Sequence, residues 1–228
     1  MRVAIVGNLF GPLFGNQPNL NTLRGDKPRS AMEFVASITR LRELRPVQVL
    51  TGHEDIRGED RIQADIARLA GSVQAIHDET VAGMNAGTDL DALMREVKPP
   101  PHLELTEEYG KVAWNVRAIW HEYSGWFDPA RGTTELCGVP LSSVAPDLAE
   151  LAGGAGALVE RASHFVQTAR PLEALHLLDI ALAAEPGLDA ARRARRDALI
   201  LLDHQTGGKN LWERRWIASQ IAELGLDA

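Results

Sequence analysis

Few residues in this 228-residue sequence combine the type and the setting that chemistry requires. His53 follows an aliphatic run, in Leu50-Thr51-Gly52-His53. A strand that ends at a histidine fixes its direction, and neutral imidazole is a good zinc ligand. By residue pattern alone, a lone histidine in that place is a hydrogen-bonded structural group. Ile76-His77-Asp78-Glu79 sets three potential ligands side by side. Neighbouring positions on a helix point in different directions, so this is surface or packing and not a chelating triplet. Asn115 and Arg117 stand among the rings of Trp114, Trp120 and Tyr123. Pattern alone makes them rim residues, with apolar stems against the rings and polar ends in water. Cys137 has no neighbouring histidine to activate it, so it is not assigned as a nucleophile.

These residues must be positioned by a short sheet and a long helical region. Arg2–Val6 is an aliphatic run and predicts a buried strand. The Gly-, Asn- and Pro-rich stretch Gly7–Asp26 is long for a connection and predicts a functional or packing loop. Ser30–Leu44 carries Met32, Val35, Ile38, Leu41 and Leu44 at helical spacing, and Val47–Thr51 is a second strand. Strand, helix, strand predicts one parallel βαβ unit. The rest of the sequence offers no further strand. From Glu59 onward the pattern is helical. Ile62, Ile66, Leu69, Val73 and Ile76 step by four and three, a coiled-coil-like seam. Thr88 is the expected cap of a short helix over Asp89–Val97, and Pro99-Pro100-Pro101 an extended link.

Tyr109–Asp128 holds the aromatic helix, with Val112, Val116, Ile119, Trp120 and Tyr123 on a broad face and an exit at Ser124-Gly125. Its ring area predicts cover on several sides. Pro129–Pro146 is expected to be a loop with little regular structure. Beyond it, Leu158, Ala162, Phe165 and Val166, then Leu172, Leu175, Leu178 and Leu182, are stripes of helix hairpins of tetratricopeptide type. Arg192, Arg193, Arg195 and Arg196 are expected to form a solvated face.

Composition excludes several roles. A net charge of −7 argues against nucleic acid or a membrane surface as partner. No apolar run reaches the ~18 residues of a membrane span. A single cysteine excludes an internal disulfide and suits a reducing cytoplasm, and the start MRVAIVGNLFG is unlike a signal peptide.

Four segments in order carry a resemblance: NLNTLRG at 19–25, LTGHEDIRG at 50–58, IHDETVAGMNAG at 76–87 and YGKVAWNVRAIWHEYSGWFD at 109–128. Together they resemble the alkylsulfatase branch of the metallo-β-lactamase-fold hydrolases. The resemblance implies a mainly α chain: a short N-terminal βαβ remnant of the four-layer αββα fold in residues 1–58, and a helical, tetratricopeptide-like alkyl sulfatase dimerisation domain in residues 59–228. It implies a homodimer and a two-zinc hydrolase chemistry. By the resemblance His53 corresponds to a metal ligand, and Asn115 and Arg117 lie near the sulfate group, with Arg24 and Lys111 as further anion-binding candidates. A guanidinium fork matches a sulfate oxyanion.

The sequence also departs from the family. None of its seven histidines falls in a His-x-His-x-Asp-His segment, and residues 1–25 contain no Asp or Glu. Trp114 stands where alkylsulfatases tend to carry histidine. One histidine does not hold catalytic zinc, so no catalytic residue is assigned. The chain is therefore expected to be an alkylsulfatase-like segment, incomplete or inactive alone and serving dimerisation. The alternatives are the complementing half of a zinc-dependent sulfate-ester hydrolase, joined to a separately encoded front half, and a purely helical interaction module.

Overall fold

The computed structural model describes every residue except 1, 24, 26, 28, 129–131 and 226–228. The chain folds as two compact units, residues 1–130 and 131–228. The division at Gly58/Glu59 implied by the resemblance falls inside the first unit. The fold is mainly helical, with nine α-helices among the described residues and a small N-terminal sheet.

In the first unit, β1 (Val3–Gly7) pairs in parallel with β2 (Gln48–Thr51), Ala4 beside Val49 and Ile5 beside Leu50. The crossover is α1 (Ala31–Glu43), capped by the Ser30 hydroxyl, which accepts from the Glu33 amide. A third strand, β3 (Asp55–Arg57), runs antiparallel to β2 and corrects the expectation of two. Its only apolar residue is Ile56, between two charged neighbours. Three residues with one apolar side chain give no periodicity to detect. The hairpin closes on Thr51, whose hydroxyl accepts from the amides of His53 and Glu54.

The long helix α2 (Glu59–Asn85) buries Ile62, Ile66, Leu69, Val73 and Ile76, the whole predicted seam. Its partners are α1 and α4 (Val112–Ser124) of the same unit. An internal core thus consumes the coiled-coil-like spacing, and the seam gives no support to association between chains. Between them, α3 (Leu90–Glu96) is capped by Asp89, whose carboxylate accepts from the Ala92 amide, and not by Thr88. On α4 the buried residues are Asn115, Val116, Ala118 and Ile119, while Trp120 is half-buried and Tyr123 is exposed, as is Trp126 just beyond the helix. The aromatic helix is covered on one broad side, not on several.

The second unit is built from α5 (Ala145–Leu151), α6 (Ala155–Gln167), α7 (Pro171–Ala184), α8 (Asp189–Gln205) and α9 (Leu211–Glu223). Helices α6, α7 and α8 pack closely because alanines meet at their contacts: Ala162, Ala174, Ala181, Ala191, Ala194 and Ala198, around Leu158 and Leu178. A second cluster, Leu199, Ile217 and Leu224, joins α8 to α9. Two expectations fail here. The stretch before Pro146 contains 3₁₀ turns at Thr133–Leu136 and Leu141–Val144. And the arginines of α8 are not uniformly solvated, since Arg195 pairs with Asp179 of α7 and is mostly covered.

Candidate functional site

The sequence candidates occupy separate places. His53 is exposed on the β2–β3 hairpin. Its neighbours are already engaged: Glu54 accepts from the Phe14 amide at 2.6 Å, and Asp55 accepts from Gln48 and Arg57. The Arg57 guanidinium beside Asp55 holds that carboxyl below its usual range. Among the described residues, no three His, Cys, Asp or Glu side chains stand close enough to share a metal ion. Catalytic zinc takes three protein ligands and an open position. The donors around His53 do not fit it.

Asn115 and Arg117 diverge. Two residues apart on a helix are turned away from each other by about 200°. Arg117 reaches α3, where its Nε–H donates to the Met94 sulfur at 3.4 Å. Asn115 is only 1% exposed, which corrects its reading as a rim residue. It sits in a buried polar cluster under residues 16–20 of the long loop. Its amide donates to Gln17 Oε1 at 3.3 Å, its carbonyl accepts from the Leu20 amide at 3.4 Å, and Gln17 Nε2 donates to Ser72 Oγ of α2 at 3.0 Å. The loop is held from its other side as well. Gln17 N–H donates to the Thr106 carbonyl, and Gly110 N–H to the Gln17 carbonyl. A Cβ at Gly110 would stand 2.3 Å from the Pro18 carbonyl, so only glycine permits this approach. The cluster fixes the loop that carries Asn19 and Thr22. Asn19 is buried, and its side-chain amide makes no hydrogen bond.

Arg24 lies outside the described residues. Lys111 lies 5.9 Å from the centre of the Trp114 ring. His77 links α2 to α4, its Nδ1 at 2.8 Å from Asp78 and its Nε2 at 2.7 Å from the Tyr123 hydroxyl. That hydrogen bond holds the Asp78 carboxyl below its usual range. It is a tie between helices, made by a partner 46 positions away. Gln17 and Ser72 were not singled out by the sequence. The one signal was the Gly-, Asn- and Pro-rich composition of the loop that carries Gln17.

Among the described residues, a three-stranded N-terminal sheet, a buried polar anchor under the long loop and a helical second unit define a mainly helical class of protein. Residues 90–225 match the alkyl sulfatase dimerisation family, and the chain belongs to that family. It is 36% identical over 145 residues to the linear primary-alkylsulfatase of a Pseudomonas strain, covering 60% of this chain and 27% of that protein. It is 26% identical over 211 residues to the alkyl/aryl-sulfatase BDS1 of Saccharomyces cerevisiae, covering 89% of this chain and 32% of that one. The fold matches the stereoselective inverting sec-alkylsulfatase Pisa1 from Pseudomonas sp. with a TM-score of 0.83 at 24% identity, over 99% of this chain and 36% of that chain. The chain thus spans about a third of the length of the alkylsulfatases it resembles. No described helix is long and apolar enough to cross a membrane.

Proposed function

We propose that this chain is the self-association module of an alkylsulfatase-type hydrolase. Residues 59–228 act as the dimerisation domain, and residues 1–58 are the last portion of a metallo-β-lactamase-like domain. The observation that carries the reading is the match to the dimerisation family over residues 90–225. A homodimer with a closed two-fold interface is the commonest arrangement for such a module. Light scattering across a range of concentrations tests it. A mass near twice 24.9 kDa is expected, and a mass of 24.9 kDa at every concentration overturns the reading.

A second reading, completion of a zinc-dependent sulfate-ester hydrolase by a separate front half, is favoured by β1. Ala4 and Val6 face the core, whereas Val3 and Ile5 face outward, Ile5 at 81% exposure. Parallel strands are normally covered on both faces. The Arg2 carbonyl accepts from Val47, so by strand alternation the backbone groups of Val3 and Ile5 turn to the free edge. A further strand of the partner would pair there. His53 would be one imidazole donated to a shared site. The chain alone, with added zinc, is expected not to hydrolyse alkyl sulfates. Zinc-dependent turnover that disappears in His53→Ala would show the ligand set to be complete without a partner.

A further inference from the structure

Self-association does not by itself say which surface a second copy meets. Four of the exposed large apolar residues of the second unit are scattered singly over α7, α8 and α9: Leu172, Ile200, Leu211 and Trp216. Isolated residues of that kind are ordinary. The stretch 133–151 is different, because Leu136, Val139, Leu141, Val144 and Leu151 are all exposed within it, Leu141 at 70% and Leu151 at 85%. Their placement is ordered. Leu141 and Val144 are the first and last residues of a four-residue 3₁₀ helix, where positions i and i+3 eclipse. From Val144 the series continues through Leu148 and Leu151 at steps of four and three, along one side of α5. The buried side of α5 is Ala145 and Ala149. A surface helix ordinarily buries its large apolar residues and shows polar ones. Helix α5 buries its alanines, leaves Leu148 half-buried and exposes Leu151.

We infer that Thr133–Leu151 forms the centre of the interface with a second copy of this chain, an inference that rests on the self-association reading above. The whole stretch lies inside the residues matched to the dimerisation family. In a two-fold contact a patch meets its own copy, so a continuous apolar row is self-complementary without matching charges. The exposed acids Asp147 and Glu150 then belong to the rim.

Cys137, the single cysteine of the chain, is exposed in this stretch and reports on it without any substitution. Three measurements on the full chain decide the matter. Wild type is weighed by light scattering, its Cys137 is labelled with a maleimide at rising protein concentration, and the variant Leu141→Asp/Leu151→Asp is weighed alongside. The expected result is a wild-type dimer whose Cys137 labelling slows as concentration rises, and a variant of half the mass with an unchanged circular dichroism spectrum. If the variant loses its helical spectrum, the wild-type labelling decides alone. A wild-type monomer overturns the self-association reading and this interface together. A wild-type dimer whose Cys137 labels as fast as in the unfolded chain at all concentrations overturns this interface only. Halving of the mass by Ile5→Lys would then place the contact at β1.

Discussion

Asn115 shows how much one side chain is asked to hold. It bridges α4 to a loop residue 98 positions away, and both of its partners are buried. Asn115→Ala would leave Gln17 Oε1 and the Leu20 amide unpaired, at a cost of ~1–3 kcal/mol. Chemical denaturation should show this as a lower midpoint with an unchanged slope. Arg117→Ala removes one bond to sulfur and part of a half-buried stem, and is expected to cost less. If the two variants are equally stable, the polar cluster is not what fixes the loop. His77 and Asp78 give a pH-dependent counterpart. Asp78 is held below its ordinary value by the His77 ring, so the native state favours the ionised carboxylate. That stabilisation is present above the ordinary carboxylate range and is lost as pH falls through the lowered native value. Asp78→Asn should therefore lower the melting midpoint slightly near neutral pH, Asp78 itself being mostly exposed, and the difference should fade as pH falls below the ordinary carboxylate range.

Helix α7 separates core from surface within a single predicted stripe. Leu178 is fully buried between α6 and α8, whereas Leu172, about 1.7 turns earlier, is exposed. Leu178→Ala should cost ~2–5 kcal/mol and Leu172→Ala within about 0.5 kcal/mol. Thermal melts of the two variants check this, and equal shifts would mean that the register of α7 is wrong. The same distinction applies to α2 and α4. The seam of α2 was legible because five aliphatic residues at regular steps admit one helical face. The rings of α4 were misleading because a tryptophan or tyrosine has an amphipathic body that tolerates solvent. Tyr123 accordingly spends its hydroxyl on His77 and leaves much of its ring exposed.

At the scale of the whole molecule, the chain carries two apolar surfaces that its own fold leaves open. One is the outer face of β1, with Ile5, and the other is the row from Leu136 to Leu151. Exposed apolar surface beyond a few hundred Å² marks contact sites. A stable two-fold interface of obligate type buries at least ~2,000 Å² in total. If a second copy covers one of these surfaces, association stabilises the folded state by mass action. The melting midpoint should then rise with protein concentration. A midpoint that stays constant from micromolar to millimolar protein would argue for a monomer whose open faces await a different partner.

The sequence by itself determined the helical class, the buried face of α2, the βαβ crossover and the family, because each rests on local periodicity or on motifs of adjacent residues. It also showed that the histidines do not supply the His-x-His-x-Asp-His segment. Tertiary structure decided what depends on distant partners. It paired Asp55–Arg57 as a third strand, drew Asn115 into a cluster with Gln17 and Ser72, and turned Arg117 toward Met94 instead of the same site. It also buried the alanines of α5 and left Leu151 outside. Local pattern records which side chains are apolar. Which of them meet a neighbour is set by contacts between residues tens of positions apart, and no periodicity encodes those.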